Sequence, residues 1–236
     1  GTRVDEIADG IYRISTPVPP ERFPGGFTFN QFLIDDEEPL LFHTGLRGLF
    51  PLVREAIEAV VPVARLRHVS FSHFEADECG ALNEFLAVAP SAAPLCGRLA
   101  ADVSVRDVAD RPPRALDDGE EVDLGRHRVR WLYTPHVPHA WECGALFETR
   151  TGTLLCGDLF TQSGHVHAPI TESDILGPSE AMRRSFDYFA HAPHSRVTLE
   201  RLAALGPTTL ACMHGAAWRG DGAALLRSLA DSLERA

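Results

Sequence analysis

The sequence predicts an α/β layered domain with a mostly β interior. Strand-like apolar runs open both halves of the chain, and helical runs follow them. The 236 residues suit one large domain, and 44% hydrophobic with 23% charged residues is the composition of an ordinary globular protein. One domain over residues 1–236 is therefore expected.

GIYRIST (10–16) and FTFNQFLIDDEEPLLFH (27–43) read as strands, with DDEEP as the turn of a hairpin. GLFPLVREAIEAVV (48–61) places Leu52, Val53, Ala56, Ile57 and Val60 at helical spacing. RLRHVSFS (65–72) reads as a strand. Residues 77–89 read as a helix with Leu82, Phe85 and Leu86 on one face. PPRALDDGE (112–120) reads as a surface loop. HRVRWLYT (127–134) alternates as a strand does, CGALFET (143–149) does so less clearly, and GTLLCGD (152–158) is a short apolar strand. Helices are expected over 179–190 and 195–205, a strand over TTLACMH (208–214) and a closing helix over 220–234.

Several function classes fall away. No apolar run approaches the roughly 18 residues of a membrane span. The start of the chain has no basic segment leading into an apolar one, so no signal peptide is expected. A formal net charge of -11 argues against a nucleic-acid binder. The five cysteines are scattered and odd in number, with no C-x-x-C, so buried thiols in a reducing cytoplasm are expected rather than a disulfide framework.

One segment resists a purely structural reading. SFSHFEADECG (70–80) sets His73, Glu75, Asp77 and Glu78 at the end of an apolar strand. Residues i and i+2 of a strand point the same way, so His73 and Glu75 approach one point together. An acid at a helix start serves as a cap or a partner for the helix dipole, which accounts for Asp77 or Glu78 but not for the pair before them. Three further strands end alike. TPHVPHAWE (134–142) brings His136 and His139, LLCGDLF (154–160) brings Asp158, and ACMHG (211–215) brings His214. Ligand sites in α/β proteins gather at the carboxyl ends of strands. A cluster of carboxylates there needs cations to compensate it.

The order H-x-E-x-D, T-P-x(3)-H, G-D and H-G resembles the metallo-β-lactamase superfamily, and within it the oxygen-binding diiron domain of flavodiiron proteins. The resemblance runs from the first hairpin to the last helix. It implies an αββα sandwich of two mixed sheets flanked by helices. It also implies one metal held by His73, Glu75 and His139, a second held by Asp77 and His214, and Asp158 between them. Hydrolase members carry histidine where Glu75 stands. Most relatives carry histidine where Glu78 stands, so Glu78 either ligates, leaves a place for water, or only starts the helix. His136 and His139 both compete for the third segment's ligand; the spacing from Pro135 and the Trp141–Glu142 that follow favour His139. His43, in FHTG, replaces a usual aspartate and is expected to orient a ligand. No flavodoxin-like segment follows the core in this sequence, so no FMN site is expected and electrons would come from another protein.

Glu75, Asp77 and Asp158 supply three negative charges, and Glu78 would supply a fourth. Carboxylate-rich sets suit iron or manganese, and zinc remains an alternative. The expected function is a diiron centre that binds and reduces, or simply senses, O2 or NO. The alternative is a dinuclear hydrolase, with zinc or iron, cleaving an ester, thioester or amide through a metal-activated water. Relatives with this core often pair, so a homodimer is a further expectation. His165 and His167 lie just past Asp158 and either line the entrance or sit in an idle loop. Trp141 and Phe160 are expected to pack around the site. His68 and His127 read as strand-surface residues, and His191 and His194 as helix ends.

Overall fold

The computed structural model describes residues 1–235. Fourteen strands form two seven-stranded mixed sheets, and helices cover their outer faces.

The first sheet runs in chain order. It comprises β1 (Arg3–Ala8), β2 (Ile11–Val18), β3 (Phe27–Ile34), β4 (Leu40–Phe42), β5 (His68–Ser70), β6 (Ala93–Gly97) and β7 (Arg114–Leu116). Pairing is antiparallel up to β4 and parallel from β4 to β7. Each parallel step needs a crossover, and α1 (Phe50–Glu58) together with α2 (Ala76–Cys79) and α3 (Leu82–Val88) supplies the first two. A third crossover is built from α4 (Arg98–Ala100), a π-helical turn (Ala101–Val105) and α5 (Arg106–Val108).

The second sheet contains β8 (Glu121–Asp123), β9 (Arg128–Tyr133), β10 (Gly144–Glu148), β11 (Thr153–Leu155), β12 (Ile170–Thr171), β13 (Thr209–Ala211) and β14 (Ala217–Arg219). Their spatial order is β12-β14-β13-β11-β10-β9-β8, and β11 pairs with β13 in parallel. Helices α6 (Leu176–Phe186), α7 (Ser195–Ala203) and α8 (Gly222–Glu234) pack on its outer side. No helix of the described residues is long and apolar enough to cross a membrane.

Strand alternation sorts the core into three apolar layers. Leu40 and Phe42 face the second sheet while Leu41 faces the helices. Trp131 and Leu155 face the first sheet while Leu132 and Leu154 face α7 and α8. This is the αββα sandwich that the family resemblance implies.

Three expectations differ from what is seen. The run 77–89 is two helices, because the chain turns at Gly80 and Ala81 instead of continuing. Residues 114–116 form an edge strand within the expected loop, and β1, β6, β8, β12 and β14 were not expected at all. The helix expected to reach residue 190 stops at Phe186, where Asp187 takes a left-handed conformation that ends the helix.

Trp131 is the largest buried side chain of the inter-sheet layer, and it depends on a residue with no side chain. A Cβ added at Gly144 would lie 2.1 Å from the Trp131 ring. Gly144→Ala should therefore destabilise the fold by about 1–3 kcal/mol, the usual cost of overpacking a core. Urea unfolding measures this, and an unchanged midpoint would contradict the packing described.

Candidate metal centre

Four loops at the carboxyl ends of β5, β9, β11 and β13 converge above the gap between the sheets. After β5 the chain makes a tight turn in which the Glu75 N–H donates to the His73 carbonyl at 3.1 Å. Glu142, from the loop after β9, accepts the Phe74 N–H at 2.8 Å and pins that turn. Glu75 is extended and precedes α2, so Asp77 and Glu78 fall in the first helical turn. After β11, Gly157 adopts φ +56°, and a Cβ there would sit 2.8 Å from Ser72. That close approach brings Asp158 of the second sheet against the His73 loop of the first.

The side chains form two groups, each with its ligating atoms within 4.8 Å of one another. The first is His73, Glu75, His139 and Asp158; the second is Asp77, Glu78 and His214. His73 Nε2 lies 2.9 Å from both His139 Nε2 and Glu75 Oε2. Asp158 stands between the groups. Its Oδ2 is 3.4 Å from His139 Nε2 and 3.6 Å from His73 Nε2, while its Oδ1 is 3.3 Å from His214 Nε2. Asp77 Oδ2 is 3.5 Å from the same His214 nitrogen.

Neighbouring groups fix the rings. His214 Nδ1 donates to the Thr28 carbonyl at 2.7 Å, leaving Nε2 as the free donor atom facing the acids. The Gly215 N–H donates to the Thr28 hydroxyl at 2.7 Å, and Asn30 donates to the carbonyls of Cys212 and Gly215, both at 2.9 Å. His43 is fully buried. Its Nε2 is 3.1 Å from Ser72 Oγ, which is 3.0 Å from His73 Nδ1. His43 is thus one hydroxyl removed from His73.

The structure separates the other candidates from the cluster. His136 turns away at φ +61° and packs near His194, ring centroids 6.1 Å apart. His165 lines a different cavity, with Arg13 and His167. Trp141 is 55% exposed and faces solvent, whereas Phe160 is buried. His68 and His127 are not surface residues: both are buried, and His127 Nδ1 lies 3.2 Å from the enclosed Glu148 carboxylate. Sequence reasoning missed Ser72, Thr28, Glu142 and Tyr188, whose hydroxyl donates to the Asp158 carbonyl at 3.4 Å. Only Ser72 and Glu142 carried a signal, by standing beside His73 and three residues after His139.

A sequence profile described as ODP family beta lactamase matches residues 27–215, most of the chain. The chain belongs to that family. An anaerobic nitric oxide reductase flavorubredoxin of Pectobacterium carotovorum is 24% identical over 212 residues, 85% of this chain and 41% of that protein. The solved rubredoxin oxygen:oxidoreductase of Desulfovibrio gigas superposes with a TM-score of 0.86 at 20% identity, covering 98% of this chain and 62% of that one. A fragment of the diflavin flavoprotein A 5 of Nostoc sp. PCC 7120 gives 0.86 at 19% identity, covering 99% and 96%. This chain spans about a third to two fifths of the first curated relatives it matches.

The donor set fits metal ions. Glu78 is wholly enclosed, and neither of its carboxylate oxygens finds a hydrogen-bond partner among the described residues. Burial, then the neighbouring Asp158, drives its carboxyl well above the usual range, while His73 opposes the rise. Burial works against charge on His214 as well, but Asp158 and Asp77 lift it to about 9. His139 and His73 hold Glu75 down at about 2. Without cations, protons must do the compensating.

Glu78 and His214 both titrate higher in the folded chain than in the unfolded one. Their stabilising protonation is complete below the unfolded values and is lost as pH rises through the folded ones. Chelator-treated protein should therefore lose thermal stability between pH 6.5 and about 9. Glu78→Gln removes a buried acid and should raise its melting temperature. Thermal scans across this range test the point, and a Glu78→Gln protein that melts lower after chelation would contradict it.

Proposed function

We propose that this domain holds two iron ions and uses them to bind and reduce O2 or NO with electrons from a separate protein. In this reading His73, Glu75 and His139 hold one iron, and Asp77, Glu78 and His214 hold the other. Asp158 would be shared between them, since its Oδ2 faces the first group and its Oδ1 faces His214. The observation that carries the reading is this set of four carboxylates and three imidazoles, split by Asp158 into two groups. Carboxylate-rich sets suit iron or manganese over zinc. Bound iron would supply electron transfer and a place for a diatomic ligand.

The surrounding residues suit that task. A cavity of about 160 Å³ opens over Glu75, Asp77, Asp158 and His214, walled by Phe27, Met182, Phe186 and Tyr188. It is smaller than the roughly 300 Å³ at which sites for drug-sized ligands begin, so it favours a ligand of a few atoms. Phe27 stacks on His214 with ring centroids 4.1 Å apart, and Phe23 stacks on Phe27 at 4.6 Å. These rings limit water around His214. The five cysteines are buried free thiols, which suits a reducing compartment such as the cytoplasm.

A hydrolase reading draws on one feature. A larger hollow of about 430 Å³, lined by Phe74, Cys79 and Val108, adjoins the cluster at Glu75 and has room for an ester. The two readings separate by assay. Iron-loaded, anaerobically reduced protein should consume O2 or NO, and zinc-loaded protein should leave esters and thioesters intact. Ester turnover without O2 or NO uptake would reverse the assignment.

Two substitutions test the ligand roles. Asp158→Ala should empty both positions, taking metal from two ions per chain to near none. Loss of only one would show that Asp158 does not bridge. Glu75→His should raise zinc relative to iron under matched loading, and an unchanged ratio would remove the charge argument for Glu75. Elemental analysis reads both.

A further inference from the structure

Beside the turn that carries His73, the loop after β9 builds a second hollow of different character. It has a volume of about 210 Å³ and opens to solvent. Leu99, Tyr133, Pro135, Trp141 and Cys143 form its walls, and Glu142 is the one acid among them. None of the seven metal donors lines it. The Tyr133 hydroxyl is already committed, donating to the Leu116 carbonyl at 2.8 Å and accepting the Arg98 N–H at 3.3 Å. The hollow is thus an apolar wall with one carboxylate in it.

That carboxylate lacks a counter-charge. Glu142 is 8% exposed, and its Oε1 accepts the Phe74 N–H at 2.8 Å. Its Oε2 accepts no hydrogen bond among the described residues, yet it is not sealed from solvent as the oxygens of Glu78 are. No cation of the described residues pairs with it. Arg98, beside the wall, sets its fork on Asp117 at 2.8 and 3.0 Å, and Arg201 reaches Asp118 instead. The chain contains no lysine. A carboxylate so deeply buried is costly without a cation.

The walls narrow the choice of cation. A metal ion needs several donors, and the hollow offers one. A guanidinium fork takes both oxygens of a carboxylate, and Oε1 is in use. A primary ammonium needs only one oxygen. Aromatic walls attract a cation, and Leu99 and Pro135 give an apolar body somewhere to pack. We propose that this hollow binds a small primary ammonium on a short apolar body, its nitrogen on Glu142 Oε2 and its body against Trp141, Tyr133 and Leu99. The site is independent of which metals the cluster holds. It meets that centre only at Glu142, whose other oxygen pins the His73 turn.

The probe is benzylammonium, with benzyl alcohol as its uncharged counterpart at equal ionic strength. Trp141 is the most exposed tryptophan, so its fluorescence reports on the hollow. The change should saturate with benzylammonium at a concentration roughly tenfold below that of the alcohol, about the worth of a hydrogen bond to a charged group. Trp141→Phe should remove the signal, and a signal that persisted would place binding elsewhere and overturn the proposal. Glu142→Gln keeps an acceptor for the Phe74 N–H and should bring the ammonium to the alcohol's level. Equal responses in the unaltered protein, or a preference that survives Glu142→Gln, would also overturn it. If Glu142→Gln fails to fold, crystals of the unaltered chain soaked in para-bromobenzylammonium decide. An anomalous bromine peak against Trp141 supports the site, and no peak there refutes it.

Discussion

Glu78 lies in a place where a carboxylate is cut off from bulk solvent and finds no hydrogen-bond partner among the described residues, and much of the surrounding design follows from that constraint. Three more acids, Glu75, Asp77 and Asp158, share its neighbourhood. Like charges at such range are tolerated only when protons or cations stand among them. Three imidazoles supply part of the compensation, and their ring orientations are set by backbone and hydroxyl partners. Four acids and three preoriented imidazoles this close together are a donor set that fits metal ions.

The fold meets the same constraint geometrically. Each sheet delivers strand ends to one edge of the sandwich, and the two edges are brought together at Gly157, where Ser72 leaves no space for a side chain. The acid that faces both donor groups, Asp158, is the residue after that glycine. The apolar layers behind it are closely packed, down to the absent side chain at Gly144 that admits Trp131. Stiff strands below and short loops above keep these side-chain atoms within hydrogen-bond range of one another.

The α/β layering was legible because it follows from local pattern, and the αββα arrangement followed from the family resemblance. Alternation assigns Leu40, Leu41 and Phe42 to opposite faces, and histidine or aspartate at four apolar strand ends marks one edge of the domain. What stayed hidden has no local signature. Strands of three residues such as β7 are too short to display an alternation. The stop at Asp187 depends on one residue in a left-handed conformation. His127 and His68 looked like surface residues because burial against Glu148 or beside Glu38 is set by distant segments. His165 stands near Asp158 in sequence, but the turn after β11 carries it to the other side of the His214 loop. Thr28, which holds that histidine's ring, lies 186 residues away in the chain.

The central claim is that the cluster holds a pair of irons bridged by Asp158. The most direct measurement is metal content per chain, with X-ray absorption at the iron edge, on protein purified from cells supplied with both iron and zinc. The account predicts two irons per chain and an iron–iron scattering path of roughly 3.5–4 Å, the usual separation of paired metals. Two zincs, or a single metal without a partner, would contradict it.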